Sequence, residues 1–224
     1  MSLQMLSPRE WAAAMLADGT ACILDVETSG LEGSIIEVAV IDAASGAVLL
    51  DTLVDCGPVQ IEPDAHAVHS ITAADLDDAP RWPEVFAQLA AITSGRQVLA
   101  YNAQFDQGRV LHDCHRSGID PGHLAEAGRW QCVMARRCAA LGLGQRDVCG
   151  SVAVTARSPT SARPARWCSC SLRDCPTRPD SPRLRTGSAP SSDRCVLRRS
   201  TLIVWVREVS TGHTDKTTCT SGTG

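Results

Sequence analysis

Ile23-Leu24-Asp25-Val26-Glu27-Thr28-Ser29-Gly30 is the stretch on which the reading of this chain turns. An apolar run carries two acids at i and i+2, and in a strand such residues point to one face. Asp25 and Glu27 are thereby set side by side while Leu24 and Val26 face the opposite way. Two carboxylates this close repel, and one is pushed toward its protonated form unless a cation sits between them. Oxygen-only ligands in that arrangement suit Mg²⁺ or Mn²⁺. The plainer alternative is a strand end entering a turn with both acids solvated, and the rest of the chain decides between the two.

A further acid arrives in Val98-Leu99-Ala100-Tyr101-Asn102-Ala103-Gln104-Phe105-Asp106. A short apolar strand runs into Asn102, and a helical pattern follows in which Asp106 and Val110 share a face. In this order the segments resemble the DEDD family of 3′–5′ exonucleases, the group that contains ribonuclease T and the proofreading subunit of bacterial replicative polymerases. The family's D-x-E-T falls on Asp25, Glu27 and Thr28, and its N-x-x-F-D on Asn102, Phe105 and Asp106. Between them, His69-Ser70-Ile71-Thr72 followed by Asp75-Leu76 resembles its H-x-I-T segment. The likeness covers roughly residues 20–140.

The resemblance implies a mechanism as well as a fold. Asp25, Glu27 and Asp106 would be catalytic metal ligands, helping to hold two Mg²⁺ or Mn²⁺ ions that clamp the attacking and leaving oxygens of the terminal phosphodiester. Thr28, Ser29, His69, Asn102 and Phe105 would lie along the substrate. The partners implied are 3′ ends of single-stranded DNA or RNA, with a DNA polymerase as a further candidate. Simpler roles compete at three of these positions: a strand-end cap for Asn102, a core aromatic for Phe105, and a hydrogen-bonded surface histidine in a loop for His69.

The elements expected around these motifs form a consistent set. Ser7-Pro8-Arg9-Glu10 is a capping box with Pro at the first helical position, opening a helix that Gly19 closes. Strands are expected at 21–26, 35–42 and 48–54, the last two joined by a short loop at Ala44-Ser45-Gly46 that favours an antiparallel hairpin. Helix 84–92, strand 97–101 and helix 104–116 follow. Pattern alone indicates α/β or α+β with a mixed sheet. The resemblance narrows this to an α/β ribonuclease H-like fold: a three-stranded antiparallel meander plus further strands, flanked by helices. The expected organisation is an N-terminal helix in 1–19, an exonuclease domain in 20–146 and a tail in 147–224.

Composition sets further bounds. No apolar run is long enough to span a membrane, and the start of the chain lacks the basic and apolar regions of a secretion signal. Cys22, Cys56, Cys114, Cys132 and Cys138 show no metal-ligand spacing and read as cytosolic thiols, mostly buried. A cytoplasmic location is expected.

Past residue 146 the character of the chain changes. Residues 147–224 carry eleven Arg and one Lys against six acids, together with twelve Ser, eleven Thr, six Pro and six of the eleven Cys. The whole chain has formal charge −4, so residues 1–146 stand at −10 and the tail at +6. Apolar periodicity stops there except at Leu202-Ile203-Val204-Trp205-Val206. Such a stretch reads as disordered.

The DEDD resemblance demands a third motif, H-x4-D, on a later helix, its Asp a metal ligand and its His the general base. The chain has none in its own reading. Read one frame over, Val154-Thr155 can yield a His codon and Pro159-Thr160 an Asp codon, given suitable third bases, on a segment with an amphipathic helical pattern. A frameshift near Leu141–Asp147 accounts for both the lost motif and the Arg, Ser, Pro and Cys excess of GC-rich DNA. Two other readings of the tail are weaker. Cys168-x-Cys170-x4-Cys175 lacks a paired C-x2-C and a nearby His, a poor match to structural zinc. Its arginines would give salt-sensitive, non-specific affinity for phosphate.

Three functions follow from these residues. The first is a metal-dependent 3′–5′ exonuclease, crippled by the lost motif. The second is an inactive nucleic-acid-binding or protein-interaction module on the same fold. The third is an enzyme of mononucleotides or small phosphodiesters, since the acidic balance of 1–146 gives no electrostatic footprint for a long nucleic acid.

Overall fold

The computed structural model describes residues 3–58, 60–142 and 206. Helix α1 (Pro8–Met15) begins as the capping box requires: the Glu10 amide donates to Ser7 Oγ at 3.3 Å, and the Ser7 amide donates to Glu10 Oε2 at 2.9 Å. It ends at Met15, with Leu16 as its cap, short of Gly19. Gly19 has φ +68 and serves the following turn, so it lies beyond the helix it was expected to close.

Strands β1 (Ala21–Thr28), β2 (Ile35–Asp42) and β3 (Val48–Leu53) form the antiparallel meander. The β2–β3 turn is fixed by Asp42, whose carboxylate accepts from the Ala44 and Ser45 amides and pairs with Arg96 at 2.8 Å. Helices α2 (Pro63–His69) and α3 (Trp82–Thr93) come next, then β4 (Gln97–Ala100), α4 (Ala103–Arg116), β5 (Trp130–Cys132) and α5 (Val133–Leu141). The sheet order is β3-β2-β1-β4-β5, with β4 and β5 parallel to β1. This mixed sheet, an antiparallel meander extended by two parallel strands and flanked by helices, is the α/β arrangement expected.

Alternation along β1 sorts its side chains into two cores. Cys22, Leu24 and Val26 pack with α3 and α4 through Val85, Leu89, Val110 and Cys114. Ile23 packs on the other face with Trp11 and Met15 of α1, Leu99 of β4 and Val133 of α5. Strand β2 is buried at all eight positions, as expected of a strand flanked on both edges and covered on both faces. On the α1 side a buried polar chain links three elements: Trp11 Nε1 donates to Gln131 Oε1 at 3.1 Å, and Gln131 Nε2 to Gln97 Oε1 at 3.1 Å. Arg136 lies over the Trp11 ring at 5.3 Å and donates to Leu3 O and Leu6 O, fastening the segment that precedes α1.

Val206 is fully buried in that second cluster, so at this residue the chain returns to the domain. The remainder of 147–224, with the expected disorder and the Cys168, Cys170 and Cys175 spacing, lies outside the described residues. None of the five expected thiols is in a disulfide, four of them are buried, and burial pushes Cys22 up to about 12. No described helix is long and apolar enough to cross a membrane.

Candidate active site

The site forms where β1 ends against the first turn of α4. Asp25 and Glu27 continue the face of Ile23, half-buried, while Leu24 and Val26 sit in the opposite core, as the alternation requires. Helix α4 starts at Ala103, which places Asp106 in its first turn, where the helix dipole favours an anion. Packing overrides that preference, because Asp106 is buried. Burial, then the neighbouring Asp25 carboxylate, hold the Asp106 carboxyl well above the usual carboxylate range. Hydrogen bonds from the Val26 and Asp106 amides offset part of this, and Glu27 adds a smaller push upward.

Three acids from two elements thus share one electrostatic neighbourhood. They do not form a finished cage: among the described residues, no three His, Cys, Asp or Glu side chains are gathered where they could hold a metal ion. The candidate fourth ligand, in the shifted reading of 154–160, lies outside the described residues. The donor set still fits a hard divalent cation, since it is oxygen-only and its buried member is disfavoured as an anion by its surroundings.

The loop after β1 is tightly organised. Thr28 and Ser29 are buried and their hydroxyls are engaged within the turn: Thr28 Oγ1 donates to Gly30 O at 2.8 Å, and Ser29 Oγ accepts from the Ser34 amide at 3.2 Å. Gly33 N donates to Gly30 O, and Glu62 N to Ser29 O. These two residues therefore shape the loop, and what the loop offers a ligand is its backbone.

Asn102 occupies the N-cap position of α4, and its side chain makes no capping hydrogen bond. Phe105 is half-buried against the α3–α4 core, with the Arg109 guanidinium 6.0 Å from its ring centroid. His69 departs from the expectation of a surface loop residue. It is the last residue of α2, buried, and its Nδ1 accepts from the Ile71 amide at 2.9 Å, which leaves the ring proton on Nε2. Pro63 at the first helical position opens that helix, yet its seven residues are too few to show a period in the sequence.

The sequence reading passed over Glu37. It is buried on β2 directly opposite Glu27 in the antiparallel register, so the two carboxyl groups lie on one face. An acid inside the apolar run Ile35-Ile36-Glu37-Val38-Ala39-Val40 was the available signal.

Residues 22–127 match the sequence model of the exonuclease family. The matched span holds all three acids and both α2 and α4. The uncharacterized exonuclease CP81 of Escherichia phage 186 is 31% identical over 100 residues, 43% of this chain and 50% of that protein. Exodeoxyribonuclease 10 of Escherichia coli (strain K12) is 33% identical over 118 residues, 51% of this chain and 46% of that protein. The chain spans about half the length of the curated relatives it matches. Among solved structures, exonuclease X in complex with 5′ overhanging duplex DNA is 24% identical with a TM-score of 0.38, covering 64% of this chain and 80% of that one.

Proposed function

We propose that the exonuclease-family domain is a metal-dependent 3′–5′ exonuclease, with Asp25, Glu27 and Asp106 holding two divalent cations, Mg²⁺ or Mn²⁺. The observation that carries the reading is Asp106, a buried acid beside Asp25, which a protein retains at a cost unless a cation comes to it. When bound, the ions would polarise the terminal phosphodiester and lower the pKa of a water. The backbone of the 28–34 loop receives the last nucleotide, and Phe105, with Asn102 before it, borders the path. His69, buried at the end of α2, holds the Ile71 amide in the H-x-I-T segment and would lie near the substrate. A 3′ end of single-stranded DNA or RNA is the substrate. The name of the exodeoxyribonuclease relative favours DNA. A DNA polymerase partner and a cytoplasmic setting complete the proposal.

The domain runs over 20–146 after the N-terminal helix, and 147–224 is read out of frame. The missing H-x4-D motif removes the general base and one metal carboxylate, so activity of the chain as written is low. Loss of a general base alone lowers a rate by about 10²–10⁴. A 5′-labelled oligonucleotide incubated with the chain in Mn²⁺ tests this. Slow, EDTA-sensitive shortening from the 3′ end, lost in Asp25→Ala, is expected; Asp25-dependent degradation at full enzymatic speed contradicts the crippled site. The second reading, an inactive binding module, is favoured by the unfinished cage of ligands. Its signature is single-strand binding without any metal-dependent cleavage.

A further inference from the structure

The exonuclease reading assigns no role to the far half of α4, yet that half grips the loop beside the site. Asp113 is buried two turns beyond Asp106, on the same face of the helix. Its Oδ2 accepts from the Ile35 amide at 2.7 Å. Ile35 is the register partner of Thr28, where the β1–β2 ladder shifts between Glu27 and Thr28. A register shift disrupts the ladder locally and increases the twist. At this one Asp113 reaches across from α4 to take the β2 amide. The carboxylate is itself fixed: Arg116 Nε reaches Oδ1 at 3.0 Å, and Arg116 Nη1 donates to Cys56 O at 3.2 Å. One helical turn before Asp113, Arg109 donates to Gly33 O at 3.3 Å and pairs with Glu32 at 3.1 Å.

We propose that Asp113, with Arg109, is a positioning residue that straps the 28–35 loop to α4 and so keeps Glu27 in register with Asp25 and Asp106. The helix that carries one acid is thereby tied to the strand end that carries the other two, by bonds that touch neither metal nor substrate. This rests on the exonuclease reading above, and the two fail differently.

The test uses the full chain with Asp113→Ala, Asp113→Asn, Arg109→Ala and, as a destabilised control whose side chain makes none of these bonds, Leu89→Ala. Hydrogen exchange across residues 28–36 and Mn²⁺ binding are measured below every melting transition. Asp113→Ala is expected to speed exchange over that segment and to weaken Mn²⁺ by about ten- to a hundredfold, as loss of an outer-shell partner does. Asp113→Asn keeps an acceptor for the Ile35 amide and retains most of both. Leu89→Ala melts lower without changing either. If Asp113→Ala does not fold, Arg109→Ala carries the test, with faster exchange at 28–36 and weaker Mn²⁺. Wild-type Mn²⁺ affinity in folded Asp113→Ala, or in Arg109→Ala when it stands in, overturns the positioning role alone. A wild-type chain that takes up no Mn²⁺ overturns the exonuclease reading and this proposal with it, whatever the exchange shows.

Discussion

Asp106 is buried, and the charge that acts on it most is that of Asp25, so its proton is held more tightly in the folded chain than in the unfolded one. For an acid with a raised folded pKa, the native state binds extra proton between the unfolded value, about 4, and the folded one. Its stabilising contribution is therefore complete below about pH 4 and is lost as pH rises through the folded value. Asp106→Asn, which cannot ionise, is expected to melt above the native chain at pH 7 in EDTA. The gain is about 1.4 kcal/mol for each unit by which the folded pKa exceeds the unfolded one. The advantage should fade toward pH 4, and Mn²⁺ should raise the melting temperature of the native chain but not of the variant. Scanning calorimetry at the two pH values checks this, and an Asn variant that melts lower at pH 7 would contradict it.

At the scale of elements, the loops around the site hold the chain in conformations that single substitutions probe. Ser70 caps α2 in the left-handed region at φ +62, a conformation that costs a non-glycine residue roughly 1 kcal/mol. Ser70→Gly is expected to raise stability by up to about that amount, read from urea melts; a loss would show that the Ser side chain contributes more than its backbone costs. Gly33 behaves in the opposite sense. A Cβ there would meet Ser29 Oγ and come within 2.6 Å of Gly30 N, a backbone atom that cannot swing aside. Gly33→Ala is expected to cost about 1–3 kcal/mol in the same melts, and a neutral outcome would mean the 28–34 loop is looser than its hydrogen bonds indicate.

These elements also show what the sequence made legible. β1, β2 and α4 declared themselves because alternation, an apolar run interrupted only by Glu37 before its end at Asp42, and a 3.6-residue period each have a distinct signature. α2, β5 and α5 were not anticipated, since seven, three and nine residues are short for a period to emerge. Asp25, Glu27 and Asp106 were singled out by motif order, which carries information that burial does not, and the fold brings them into one electrostatic neighbourhood. Glu37, Asp113 and the burial of His69 were hidden, for each depends on register or on a contact distant in sequence.

For the whole molecule, the acidic domain and the basic stretch after it meet at one described point, Val206, packed among Trp11, Met15, Leu99 and Val133. Placing a carboxylate there would bury an unpaired charge, so Val206→Asp should cost ~2 kcal/mol or more. An unchanged melting temperature would detach the last stretch of chain from the domain's stability.

In the proposed function, the three acids belong to an exonuclease site that an H-x4-D motif in the neighbouring reading frame would complete. The most direct measurement compares the chain as written with one whose frame is restored by a single base between codons 141 and 147, on a 5′-labelled single strand in Mg²⁺. The account predicts a stepwise ladder shortening from the 3′ end with the restored chain, abolished by EDTA and by Asp25→Ala, Glu27→Ala or Asp106→Ala, and only a trace with the chain as written. A restored chain that folds cooperatively and leaves both DNA and RNA strands intact in Mg²⁺ and Mn²⁺ would contradict it.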